Sequence, residues 1–74
     1  MPTLADLKKN QEARIKELQP SECATRLLAL GCVPGSKVRF QYTAPLGDPI
    51  CVAVNGSLLA MRKSEAATIV VESN

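Results

Sequence analysis

The chain has 74 residues, of which 46% are hydrophobic, so it has room for one domain with one small core. Nine basic against seven acidic residues give a net charge of +2, too even a balance to make it a nucleic-acid or anionic-membrane binder by electrostatics alone. No apolar run approaches the ~20 residues that cross a bilayer, and Met1-Pro2-Thr3-Leu4-Ala5-Asp6 shows no signal-peptide pattern.

In chain order, Leu4 and Leu7 sit three apart and predict one helical turn with both leucines facing the core. Lys8 to Gln11 reads as a turn, with Asn10 the residue best able to take the left-handed conformation. Ala13 to Leu18 predicts a first strand with Ala13 and Ile15 inward. Pro20-Ser21-Glu22 then opens a helix over about residues 22–30, with Ser21 as N-cap and Glu22 suited to the positive end of the helix dipole. Ala24, Leu27 and Leu28 share its expected buried face, widened by Cys23 and Leu30. Gly31 is the expected left-handed residue past the helix end, with Cys32 packing back on Leu27 in a Schellman arrangement. Pro34 makes continuation of the helix unfavourable.

Val38, Phe40 and Tyr42 alternate with Lys37, Arg39 and Gln41 in a strand over residues 37–43. Ile50, Val52 and Val54 alternate with Cys51, Ala53 and Asn55 in the next. Between them lies Ala44-Pro45-Leu46-Gly47-Asp48-Pro49, a connection longer than a tight hairpin and stiffened by two prolines. It is the first place to look for something exposed and functional. Asn55-Gly56 signals a type I′ hairpin. The returning strand, residues 57–62, is apolar on both faces through Ala60, which predicts a central position in the sheet. A short helical turn near residues 64–67, a last strand from Thr68 to Glu72 and a frayed end at Ser73-Asn74 complete the chain.

The expectation is a mainly β, single-domain chain (residues 1–74) of five to six short antiparallel strands with one inserted α-helix. In so few residues, a bent sheet closing into a small barrel buries both faces economically. Only Phe40 and Tyr42 are aromatic, so the core must be aliphatic.

The chemistry the residues permit is narrow. There is no histidine, which removes the usual general base, the commonest transition-metal ligand and any histidine-assisted nucleophile. The carboxylates Asp6, Glu12, Glu17, Glu22, Asp48, Glu65 and Glu72 have no paired spacing and read as a solvated surface. No catalytic residue, cofactor site or metal site is expected, and the chain is not expected to be an enzyme. Cys23, Cys32 and Cys51 are odd in number and lack a Cys-x-x-Cys pair, so they read as thiols in a reducing, cytoplasmic compartment. They could still meet in space, with Cys23 and Cys32 flanking the helix and Cys51 on a strand beneath it. Two aromatics cannot line a polyproline groove, and Arg14, Lys16, Arg39, Arg62 and Lys63 lack the interleaved aromatics of a nucleic-acid track.

Three blocks together carry a family resemblance. Leu27-Leu28-Ala29-Leu30-Gly31-Cys32-Val33-Pro34-Gly35, the proline block from Ala44 to Ile50, and Leu59-Ala60-Met61-Arg62-Lys63 with Glu65-Ala66 make the chain resemble the FeoA family from Leu4 to Glu72. These are small cytosolic components of bacterial ferrous iron transport systems. Asn10 stands where the family usually has glycine, and Cys32 and Met61 stand where it usually has an aliphatic residue; each keeps the local conformation or the apolar character. The resemblance implies an SH3-like barrel and an accessory protein that binds the cytosolic, GTP-binding part of the FeoB membrane transporter. It also implies recruitment to the inner face of the cytoplasmic membrane through that partner, and leaves room for weak self-association. The family's association with transition metal ions is read as a link to the pathway rather than as a ligand set in this chain.

The expected partner surface is Pro45, Leu46, Gly47, Asp48 and Pro49, with Arg62 and Lys63 nearby in topology. Leu46 is either an exposed anchor or a core residue folded under its own loop. A GTPase-activating arginine is a further idea, but no arginine is distinguished by its setting. The alternative reading is a repressor-associated or nucleic-acid-binding small barrel, disfavoured because the one helix spends a face on the core.

Overall fold

Residues 2–73 are described in a computed structural model of the chain. A 3-10 turn at Leu4–Asp6 is followed by β1 (Glu12–Leu18), α1 (Ala24–Ala29), β2 (Lys37–Thr43), β3 (Ile50–Val54), β4 (Ser57–Met61), α2 (Lys63–Ala66) and β5 (Ile69–Ser73). The five strands form one antiparallel sheet in the order β4-β3-β2-β1-β5. β1 pairs with β2 over Glu12 to Arg14 and with β5 over most of its length. Register shifts at Lys16 and Gln41 supply the local twist that lets so short a sheet bend round its own core.

That core is aliphatic apart from Phe40. Leu4, Ile15, Leu27, Cys32, Val38, Ile50, Val52 and Ile69 are the largest fully buried side chains, and Leu7, Ala13, Val54, Met61, Ala66 and Val71 pack with them. The period-two pattern of β1 is observed at Ala13 and Ile15, and that of β2 at Val38 and Phe40, all four pointing inward with their charged neighbours outward. Tyr42, expected on the same face, is 58% exposed, because the register shift at Gln41 breaks the alternation. Leu4 and Leu7 both face the core. Asn10 has φ 66° and bonds its N–H to the Phe40 carbonyl at 2.8 Å, so the left-handed turn hands the chain into the sheet.

The end of α1 is the expected Schellman arrangement. Gly31 has φ 102°, its N–H bonds the Leu28 carbonyl at 3.1 Å, and the Cys32 N–H bonds the Leu27 carbonyl at 3.0 Å. Ser36, the one buried polar side chain among the described residues, donates to the Gly31 carbonyl at 3.1 Å and accepts from the Asn55 amide at 3.2 Å. It thereby ties the helix end to the hairpin tip. There Asn55 and Gly56 both have positive φ, as a type I′ turn requires.

Three expectations are corrected. First, α1 is shorter than residues 22–30, and Ser21 does not cap it. Cys23, in αR conformation, occupies the N-cap with no side-chain cap bond, and the Ser21 hydroxyl lies 3.2 Å from the Cys23 sulfur. The turn into the helix is made by backbone instead, from the Ala24 N–H to the Ser21 carbonyl. Second, Leu28 and Leu30 are 43% and 47% exposed. A six-residue helix lays only a narrow stripe on the core, and Leu27 fills it.

Third, β4 lies at one end of the sheet rather than in its middle. The tight hairpin sets it beside β3, while β5 goes to the opposite end against β1. Leu58 is consequently 69% exposed. At the C-terminus, Ser73 belongs to β5, and the rest of the expected frayed end, Asn74, lies outside the described residues.

Candidate functional site

The connection between β2 and β3 is held from within and from outside. Within it, the Gly47 N–H bonds the Ala44 carbonyl at 2.8 Å, closing a turn centred on Pro45 and Leu46, and the Ala44 N–H bonds the Pro49 carbonyl at 3.0 Å. Gly47 has φ 92° and the Asp48–Pro49 peptide is cis. From outside, one Asp48 carboxylate oxygen accepts the backbone N–H of Lys63 at 2.8 Å. That N–H belongs to the first residue of α2, where a helix has no acceptor of its own and a negative group is favoured.

The bond fixes the sequence relationship among the candidate residues. Asp48 spends its charge on the start of α2 instead of on its own backbone, and so brings Lys63 against the loop. The Lys63 ammonium lies beside Gly47, 3.8 Å from where a Cβ would stand there. Arg62 precedes α2, exposed, with its backbone N–H bonded to the Glu65 carboxylate at 2.9 Å. Glu65 is also ion-paired with Arg26, which links α2 to α1. Sequence reasoning missed both tertiary bonds. An acidic side chain at each position was their only signal, and it does not name a partner 15 or 39 positions away.

Leu46 is 97% exposed, so it is not a core residue folded under its own loop. Pro45, Asp48 and Pro49 are exposed and Gly47 is half-buried. The result is a stiff loop that presents one large apolar side chain, with the cations of Lys63 and Arg62 on the adjoining segment. Neither cation forms a salt bridge among the described residues. Such a surface suits a protein partner with an apolar socket and an acidic rim.

The three thiols are free; Cys32 and Cys51 are buried and Cys23 half-buried. Burial pushes the Cys32 thiol above its ordinary pKa. Among the described residues, no three cysteine or carboxylate side chains cluster as a metal-holding group. No helix among them is long and apolar enough to cross a membrane.

Bent five-stranded sheet, short inserted helix and protruding loop together define an SH3-like barrel. A family model described as the FeoA domain matches residues 3–73, and the chain belongs to the FeoA family. It is 40% identical to the FeoA protein from Chlorobium tepidum, with a TM-score of 0.89 over 97% of this chain and 70% of that one. It is 38% identical to iron(II) transport protein A from Clostridium thermocellum, with a TM-score of 0.91 over 97% of this chain but only 45% of that one. Stenotrophomonas maltophilia FeoA, solved with zinc, is 34% identical, with a TM-score of 0.84 over 97% and 91% of the two chains. That protein is described as an SH3 domain protein proposed to be a ferrous iron transport activating factor.

Proposed function

We propose that the chain is a non-catalytic accessory protein of a bacterial ferrous iron uptake system. It works in the cytoplasm and modulates a FeoB-type transporter by binding its cytosolic, GTP-binding part. Family membership supports the pathway. The observation that carries the binding reading is Leu46, almost wholly exposed at the tip of a loop whose conformation is held by Asp48. Pro45 and Pro49 restrict this backbone in the free protein as in the bound one. A loop ordered in advance loses less entropy on docking, and Arg62 and Lys63 add charge that steers an acidic partner surface.

Iron is the transporter's cargo in this reading, and the isolated accessory protein is expected to bind it weakly or not at all. An anaerobic titration showing a stoichiometric, submicromolar iron site lost on Cys→Ser substitution would overturn that part. The binding reading is tested by co-purification with the transporter, with and without guanine nucleotide. Leu46→Ala should leave the fold intact and abolish capture and iron uptake together, while Lys63→Glu should weaken capture in a salt-dependent way. A folded Leu46→Ala protein that still binds the transporter and restores uptake at wild-type levels moves the interface off the loop.

A further inference from the structure

The two ends of the sheet are treated differently. At β5, the Val71 N–H bonds the Pro2 carbonyl at 3.1 Å and Thr3 bridges to Val70, so the N-terminal segment covers the outer edge. At β4, the residues with no such cover are also apolar. A two-residue hairpin makes Val54 and Ser57 a hydrogen-bonded pair, and pairing then alternates along the strands. The N–H and C=O groups of Ser57, Leu59 and Met61 are therefore spent on β3, and those of Leu58 and Ala60 point outward.

Ser57-Leu58-Leu59-Ala60-Met61 contains no charge and no proline, two of the devices by which proteins blunt a free edge. Its apolar pattern is that of an interior strand, and this fold leaves Leu58 and Ala60 on its outward face exposed.

We propose that β4 pairs with β4 of a second copy of this chain about a two-fold axis, making one continuous ten-stranded sheet. The register follows from the outward groups. Leu58 lies opposite Ala60 of the partner, Ala60 opposite the partner's Leu58, and the two Leu59 residues face each other at the axis. Each Leu58–Ala60 pair exchanges two backbone hydrogen bonds, giving four in all.

Side chains and charges agree with this occupant. On the outward face, Ala53 is paired with Leu58 and Arg39, and Cys51 with Ala60 and Tyr42. The row Tyr42-Cys51-Ala60 thus runs on into Leu58-Ala53-Arg39 of the second copy, with the large leucine against the small alanine. The antiparallel register also sends Arg62, just past the end of β4, toward the uncharged hairpin turn of the second copy. A parallel pairing would instead place the cations against their own copies, which is unfavourable.

The test needs no partner protein: sedimentation equilibrium of the purified chain over micromolar to millimolar concentration, with amide exchange measured at both extremes. The expected result is a mass rising from monomer to dimer, with exchange at the Leu58 and Ala60 amides slowed only at high concentration. Leu58→Lys should keep the fold and weaken dimerisation about tenfold or more, since it puts charge on the free edge. Ala60→Pro should weaken it too while sparing the bonds to β3, because the N–H it removes points outward. A wild-type chain that stays monomeric to millimolar concentration overturns the proposal, as does a dimer indifferent to both substitutions. Slowed exchange at Leu58 and Ala60 that needs the transporter's cytosolic part, with the chain alone monomeric, also overturns it and assigns the edge to a strand from another protein.

Discussion

β4 and β5 are both five-residue end strands of the same sheet, and both are largely apolar, yet the fold uses them in opposite ways. Ile69, Val70 and Val71 of β5 are each no more than 2% exposed. Ile69 and Val71 enter the core, while Val70 lies outside that cluster near the bridge to Thr3. In β4 only Met61 is buried to that degree; Leu59 is half-buried, and Ser57, Leu58 and Ala60 are exposed. Apolar sequence therefore does not by itself say which end strand is buried: the chain's own N-terminal segment lies against β5, and nothing of the kind lies against Leu58 and Ala60 among the described residues.

The largest effect that sharpens this contrast is a pair of truncations measured by urea unfolding at low protein concentration. Ile69→Ala should lose about 2–5 kcal/mol, the usual cost of emptying a filled core position. Leu58→Ala should stay within about 0.5 kcal/mol, as exposed substitutions do. Equal losses at the two positions would break the comparison.

Next comes the cover on β5. A chain beginning at Leu4 lacks the Pro2 acceptor and the Thr3 bridge, and should lose about 1–2 kcal/mol, in line with one or two hydrogen bonds. Exchange at the Val71 amide should accelerate while the interior of β3 is unaffected. Unchanged exchange at Val71 would mean that the edge of β5 does not depend on that segment.

A smaller effect concerns the loop, which shares the exposed side of the comparison but is fastened. Asp48→Ala removes the acceptor for the Lys63 N–H, and should cost about 0.5–1.5 kcal/mol. Chemical-shift changes should be confined to residues 45–49 and the first turn of α2. If they spread through the sheet instead, Asp48 supports more than the loop.

The smallest effect is in alkaline solution. Cys32 is buried and its thiol is raised, so the folded state keeps this proton to higher pH than the unfolded state does. Its contribution is fully present below the unfolded thiol value of about 8.5 and falls as pH rises from there toward the folded value. Wild-type stability should therefore decline more steeply above about pH 8.5 than that of Cys32→Ala. Parallel slopes would show that Cys32 does not govern the decline.

Much of the fold was legible in local pattern because it is decided by short-range physics. Asn10, Gly31 and Asn55-Gly56 take positive φ because few residues tolerate it, and the alternation in β1 and β2 follows from the geometry of a half-buried strand. The proline block marked a stiff connection at the right place for the same reason. Ser21 and Leu28 misled because capping and helix length depend on how the chain enters and leaves the packed layer, which propensity does not record.

By itself, then, the sequence determined where the chain turns, which side of β1 and β2 meets the core and which residues form the protruding loop, since each depends on neighbours a few positions away. Tertiary structure alone decided that Leu46 projects into solvent, that Asp48 holds the start of α2, and that β4 rather than β5 is left open. Those outcomes rest on contacts between residues far apart in the chain, and on strand order, to which an apolar periodicity of two is blind.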